Sequence, residues 1–159
     1  MSLTPLQIVR VAALRHHDNA VTSDERLRLI ADVESAEELH RIVLGAPPSM
    51  AEFSLLAAII KHGKCAQGTA HFVYWALRPG CYYWILKKRK PFTKHSEDVW
   101  SVLMMIEQRV RTNRYTGEPI EFLLSAFLGH SLEEEARSNP GILSVPDFMR
   151  ADVAGLRIE

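Results

Sequence analysis

This chain of 159 residues carries only two cysteines, Cys65 and Cys81, too few to staple a small domain through disulfides. It has no net charge, because 19 basic and 19 acidic side chains cancel. That balance argues against a dedicated nucleic-acid binder or a membrane-surface protein. Long apolar runs are missing too. The longest, Ala70–Leu77 and its neighbours, is broken by His71 and Arg78, well short of the roughly 20 residues a membrane span needs. Met1–Arg10 has no basic start followed by an apolar stretch, so no secretory signal is expected and a cytoplasmic placement is. No Gly-rich phosphate loop, His-Glu-x-x-His pair, Gly-x-Ser-x-Gly elbow or calcium loop is present, which sets aside the commoner enzyme classes.

What is there describes a globular chain: 47% of residues are hydrophobic and 24% charged. The length fits one domain of roughly 100–200 residues, able to bury about 70% of its unfolded surface, so a single domain over residues 1–159 is expected. The neutrality hides a pattern. Residues 1–60 sum to −3, residues 61–114 to +8 and residues 115–159 to −5. Such segments either pair with one another inside the fold or present surfaces of opposite sign, and interspersed pairing is the plainer expectation.

Helical spacing dominates. Leu3, Leu6, Val9, Ala13 and Leu14 predict a first helix over Thr4–His16, with Thr4 as cap, Pro5 at the first helical position and Asp18-Asn19 as its end. A second helix starts at Thr22 or Ser23 and carries Leu27, Leu29, Ile30 and Val33. A third starts at the capping-box spacing Ser35–Glu38 and runs to Gly45, before Pro47-Pro48. Ser49–His62 and Ala66–Leu77 predict two further helices joined by a short turn as an antiparallel hairpin. Arg78-Pro79-Gly80 stops the second of these, and Cys81–Leu86 has strand-like composition. A long helix follows, capped by Ser96–Asp98 and running to Thr112. Then come a helix over Glu118–Leu128, a short acidic turn Leu132–Arg137 capped by Ser131, a turn at Asn139–Gly141, and a last short helix from Ser144–Pro146 through Val153. The expected fold is all-α: a compact bundle of about six to eight helices, with stacked hairpins as one arrangement and a short strand-like connector near 81–86.

Chemistry-bearing residues are sparse. His62 and Cys65, with His71 and Cys81 nearby, have irregular spacing for a zinc site, so no metal and no cofactor are expected. Cys65 near the positive end of the fifth helix is a candidate for a lowered thiol pKa, against the commoner role of a buried structural cysteine. His71, Trp75 and Arg78 share one helix face, either a recognition patch or a core anchor with a polar rim. Lys87, Lys88, Arg89 and Lys90 follow Tyr82, Tyr83 and Trp84, a basic and aromatic combination that can hold phosphates and stack bases. Glu133, Glu134 and Glu135 are either a solvated helix face or a surface for a basic partner.

The stretch Leu56-x-x-Ile59-Ile60-x-His62-x-x-Cys65-x-x-Gly68-Thr69-Ala70-x-x-x-x-Trp75, with Tyr82-Tyr83 beyond it, resembles the family known as domain of unknown function 4274, a group of small bacterial helical domains. The resemblance covers about a fifth of the chain. Ala66 stands where the family has an acidic capping residue, and Gly63-Lys64 where it tends to have Pro-Asn. The resemblance brings no catalytic residue. It implies structural roles: His62 and Cys65 fixing a tight turn, Gly68, Thr69 and Ala70 in close helix packing, and Trp75 in the core. Its family type implies a non-enzymatic cytosolic immunity protein that binds and occludes a bacterial toxin, an association by family rather than by site. On that expectation Glu118, Glu121 and Glu133–Glu135 meet a basic toxin such as a nuclease. Two other classes compete: nucleic-acid binding through Lys87–Lys90 with Arg109, Arg111 and Arg114, and a small cysteine-dependent enzyme or toxin using Cys65.

Overall fold

The computed structural model describes residues 3–15, 21–45 and 52–158, and folds them as a compact all-α bundle. Ten α-helices follow in order among these residues: α1 Pro5–Arg15, α2 Ser23–Ala31, α3 Ala36–Gly45, α4 Phe53–Lys61, α5 Gln67–Ala76, α6 Pro79–Lys87, α7 Lys94–Arg111, α8 Leu124–Leu128, α9 Leu132–Ser138 and α10 Asp147–Arg150. A 3-10 helix, Pro140–Ser144, precedes α10. The expected first-helix end at residues 16–19, the Pro47-Pro48 break and the Ser49 start lie outside the described residues.

Side-chain caps set several of the starts. The Thr4 hydroxyl accepts from the Gln7 N–H at 3.3 Å while the Gln7 side-chain Oε1 accepts from the Thr4 N–H at 2.9 Å. Thr22 with Glu25, and Ser131 with Glu134, close full capping boxes. Ser35 accepts from the Glu38 N–H at 3.1 Å. The 18-residue α7, about 27 Å long at 1.5 Å per residue, is the axis on which α4, α5, α6 and α10 pack. One apolar core runs through the bundle, from Val11 on α1 to Met149 on α10.

The structure departs from the sequence expectations in several elements. Cys81–Leu86 is not a strand-like connector but the body of α6. Pro79 supplies the fixed φ of a first helical residue, and the aromatic residues that raise strand propensity pack sideways instead: Tyr83 lies 5.2 Å from Trp100 and Tyr82 6.3 Å from Phe92, both edge-on. Glu118–Leu128 is helical only from Leu124. Pro119 biases the residue before it towards extended backbone. The N–H groups of Glu121 and Phe122 then donate to the carbonyls of Leu156 and Val153 at 2.9 and 2.8 Å, forming isolated bridges. The last helix accordingly stops at Arg150, and Val153 belongs to a bridge. Thr93, not Ser96, caps α7, with its hydroxyl accepting from the Ser96 N–H at 3.2 Å. Finally, α4 and α5 are not chiefly each other's partners: α4 lies on α2 and α7, while α5 lies on α3 and α7.

α1 is turned differently from its apolar stripe. Gln7, Arg10, Val11 and Leu14 are buried, whereas Leu6 and Val9 are 63% and 65% exposed. The cause is electrostatic. Arg10 is paired with the fully buried Glu38 at 3.0 Å and donates to the Asp32 carbonyl, and this holds the charged face inward. A buried pair of this kind is costly to break, because it strands the remaining charge.

Candidate functional site

The conspicuous sequence motif is used up by folding. Ala66 is the N-cap of α5 and offers no side-chain bond, because alanine carries no acceptor. His62 Nδ1 accepts from the Lys64 N–H at 3.0 Å, which leaves the proton of the neutral ring on Nε2. The Cys65 N–H donates to the His62 carbonyl at 3.0 Å, closing the turn. Cys65 is fully buried, its sulfur 3.6 Å from the Ala66 carbonyl, and burial pushes the thiol up to about 12. That is the reverse of the lowering expected from a helix N-terminus: at neutral pH there is no thiolate to attack a substrate. Cys81 lies half-buried on α6.

Each further motif residue reaches a different part of the chain. Gly68 lets α5 lie directly on the backbone carbonyl of Ile120, where any side chain would collide. The Thr69 hydroxyl bonds His40 Nδ1 on α3 at 3.0 Å. Ala70 is fully buried. The Trp75 indole N–H donates to the Met149 carbonyl at 2.9 Å. Tyr74, also on α5, donates to Glu107 Oε1 at 2.6 Å, and Tyr83 on α6 donates to the same oxygen at 2.7 Å. Burial first, and then the Glu107 carboxylate, hold both phenols above their ordinary pKa. Burial also lowers His40 and His71 to about 4 each, so both are neutral in the fold. His71, expected on one patch with Trp75 and Arg78, lies wholly inside, 5.8 Å from the Phe122 ring, while Arg78 is exposed.

The charged residues tell a different story. Five ion pairs are present among the described residues: Arg10–Glu38, Arg41–Glu37, Lys94–Asp98, His130–Glu135 and Arg150–Asp147. Each lies within one of the three charge segments. No ion pair joins the basic middle to either acidic end among the described residues, so the plainer expectation of internal pairing is not met. Lys87–Lys90 is exposed at the end of α6, with the Lys88 ammonium 4.5 Å from the Trp84 ring centre. Arg109, Arg111 and Arg114 lie at the opposite end of α7, where Arg109 and Arg111 stack on Tyr115 and Phe148 at 5.1 and 5.4 Å. On the acidic side, Glu134 is tied into its cap and Glu135 to His130 at 2.7 Å. Glu121 is half-buried, whereas Glu118 and Glu133 are exposed.

Two cavities gather residues from the separate lists. One of about 600 Å³ lies where three interhelical turns meet, lined by Glu34, Ser35, His62, Lys64, Thr116 and Glu118 among others. The other, about 290 Å³, opens at the corner between α5 and α6 and brings together Trp75, Arg78 and Glu135 with Phe127, Asn139 and Ile142. At that corner Arg78 has φ +56°, the left-handed region, and is at once the residue that ends α5 and the N-cap of α6. Glycine is the usual residue for the first role and Ser, Thr, Asp or Asn for the second. Left-handed backbone costs a residue with a Cβ about 1 kcal/mol or more.

Arg89 and Asn113 are also left-handed, but both sit in helix ends closed by two hydrogen bonds. Arg89 and Lys90 donate to Leu86 and Ile85, while Asn113 and Arg114 donate to Val110 and Arg109. Arg78 makes only the first such bond, to Trp75 at 3.0 Å, because Pro79 has no N–H for the second.

Sequence reasoning missed Glu107, Phe127 and Asn139. Asn139 was legible only as part of a turn signal, and no local spacing marks the other two. Among the described residues no group of three or more His, Cys, Asp or Glu is placed to hold a metal ion, and no helix is long and apolar enough to cross a membrane. No protein-family model, curated protein or solved structure matches the chain.

Proposed function

We propose that this chain is a non-enzymatic protein-binding module: a cytosolic immunity protein of the domain of unknown function 4274 type that binds and occludes a bacterial toxin. The observation that carries this reading is the absence of any ion pair between the basic middle and the acidic ends among the described residues, which leaves surfaces of both signs available to a partner. Complementary charge steers association and selects partners more than it sets raw affinity. The nucleophile-type groups are otherwise engaged. Cys65 is a buried thiol, His40 is bonded to Thr69, and Tyr74 and Tyr83 share Glu107. Within the acidic set Glu118, Glu121 and Glu133–Glu135, Glu118 and Glu133 are exposed and engaged in neither a cap nor an ion pair, so they lead the surface offered to a basic toxin such as a nuclease.

The test is a pull-down with the product of a neighbouring toxin gene, followed by charge reversal at Glu118 and Glu133. Capture by the parent chain and at least tenfold weaker binding by the reversed variant are expected. Unchanged affinity in the reversed variant rules out this acidic face. Failure of any neighbouring toxin to bind, together with retention on single-stranded nucleic acid that collapses with added salt, would replace the proposal with the nucleic-acid class.

A further inference from the structure

The corner cleft between α5 and α6 is built on a residue that local sequence rules do not favour. Arg78 occupies a left-handed position that glycine would fill at lower cost, and it lacks the second hydrogen bond that closes the left-handed ends at Arg89 and Asn113. Its side chain makes no hydrogen bond or ion pair among the described residues, although the Glu135 carboxylate lines the same cleft; Glu135 is held instead by His130 at 2.7 Å. The Asn139 side-chain amide, packed where a Cβ on Gly80 would press on it, also makes no hydrogen bond. Left-handed backbone at a residue with a Cβ is a recurrent mark of functional positions. The remaining walls are apolar: Trp75, Phe127, Leu128 and Ile142.

We propose that this cleft is a ligand site for an anionic group carried on an apolar or aromatic stem, with the Arg78 guanidinium taking the anion, the Asn139 amide donating beside it and the stem lying against Trp75 and Phe127. A guanidinium offers a planar fork of donors that matches a carboxylate or phosphate. The cleft volume of about 290 Å³ sits at the small end of ligand pockets, which suits one ring and one acid group.

The test uses the full chain and needs no toxin, so its failure leaves the protein-binding proposal standing. Phenylacetate and its neutral analogue 2-phenylethanol are titrated while amide and indole resonances are followed by NMR. Saturable shifts at the Gly80 N–H, the Asn139 side chain and the Trp75 indole are expected with phenylacetate, with at least tenfold weaker binding of 2-phenylethanol. Arg78→Gln should lose at least tenfold in affinity. Arg78→Gly should lose as much while melting at or above the parent temperature, because glycine suits the left-handed turn. Phenyl phosphate binding more tightly than phenylacetate assigns a phosphorylated ligand, and the reverse order a carboxylate. Equal affinity for the neutral analogue, unchanged affinity in a folded Arg78 variant, or no saturable shift at the three reporters would overturn the site.

Discussion

α5 and α6 are neighbours in sequence, joined at one corner and rich in the same aromatic residues, yet they do opposite work. Seven of the ten residues of α5 are buried, and Thr69, Tyr74 and Trp75 each anchor a different distant segment. Of the nine residues of α6 only Pro79 and Gly80 are buried, its two ends are arginines in left-handed backbone, and its last turn runs into a solvent-facing basic stretch. One helix is frame and the other is face. The lesson is that a dense motif such as His62 to Trp75 marks where the chain is held together, while the solvent-facing charges lie outside it.

The sharpest way to break this contrast is truncation on the frame side. Trp75→Ala removes a core ring and strands the Met149 carbonyl, and should cost about 3–5 kcal/mol in urea unfolding. A loss under 1 kcal/mol would deny α5 its central place.

Acid should act next. His40 and His71 titrate near 4 in the fold against 6.5 in the open chain. The unfolded state therefore binds more protons between these values, and stability, full above pH 6.5, falls as pH drops towards 4. Each imidazole contributes about 3 kcal/mol to that fall. Unfolding free energy measured against pH should show an uptake approaching two protons near pH 5, and about one in a folded His71→Gln variant. A flat profile would show that the imidazoles are not buried as neutral groups.

On the face side the sign should reverse. Arg89→Gly relieves left-handed strain in an exposed turn and should stabilise by about 1 kcal/mol, raising the melting temperature by a few degrees. Destabilisation there would mean that the Arg89 side chain supports the fold. The smallest effect separates the two cysteines: iodoacetamide should label half-buried Cys81 in the native chain and Cys65 only in denaturant, as read by peptide mass. Native labelling of Cys65 would move the motif from frame to face.

The all-α class was legible because three- and four-residue apolar spacing survives in almost every segment, and caps such as Thr22 and Ser131 announce themselves by local chemistry. Local rules failed where partners are remote. The orientation of α1 is set by Glu38, about thirty residues away, so its stripe misled. α6 was hidden because Arg78-Pro79-Gly80 reads as a stop, although proline at a first helical position is equally a start. The extended run at 118–122 owes its conformation to carbonyls of Val153 and Leu156, with Pro119 the one local hint. Of the candidate surfaces, the sequence displayed the exposed basic run and the acids. It did not show that Trp75, Arg78 and Glu135 line one cleft, because that meeting depends on how α9 and the 3-10 helix fold back on α6.

The bond from the Trp75 indole to the Met149 carbonyl spans 74 residues. During synthesis at roughly 5–20 residues per second, the indole waits some 4–15 seconds for its acceptor to be made. Residues that bond Thr69 and Tyr74, His40 and Glu107, are made earlier, whereas the indole N–H still lacks its acceptor. Met149 is therefore a latch on α5: only once it has been added can the Trp75 indole find its bond within the chain.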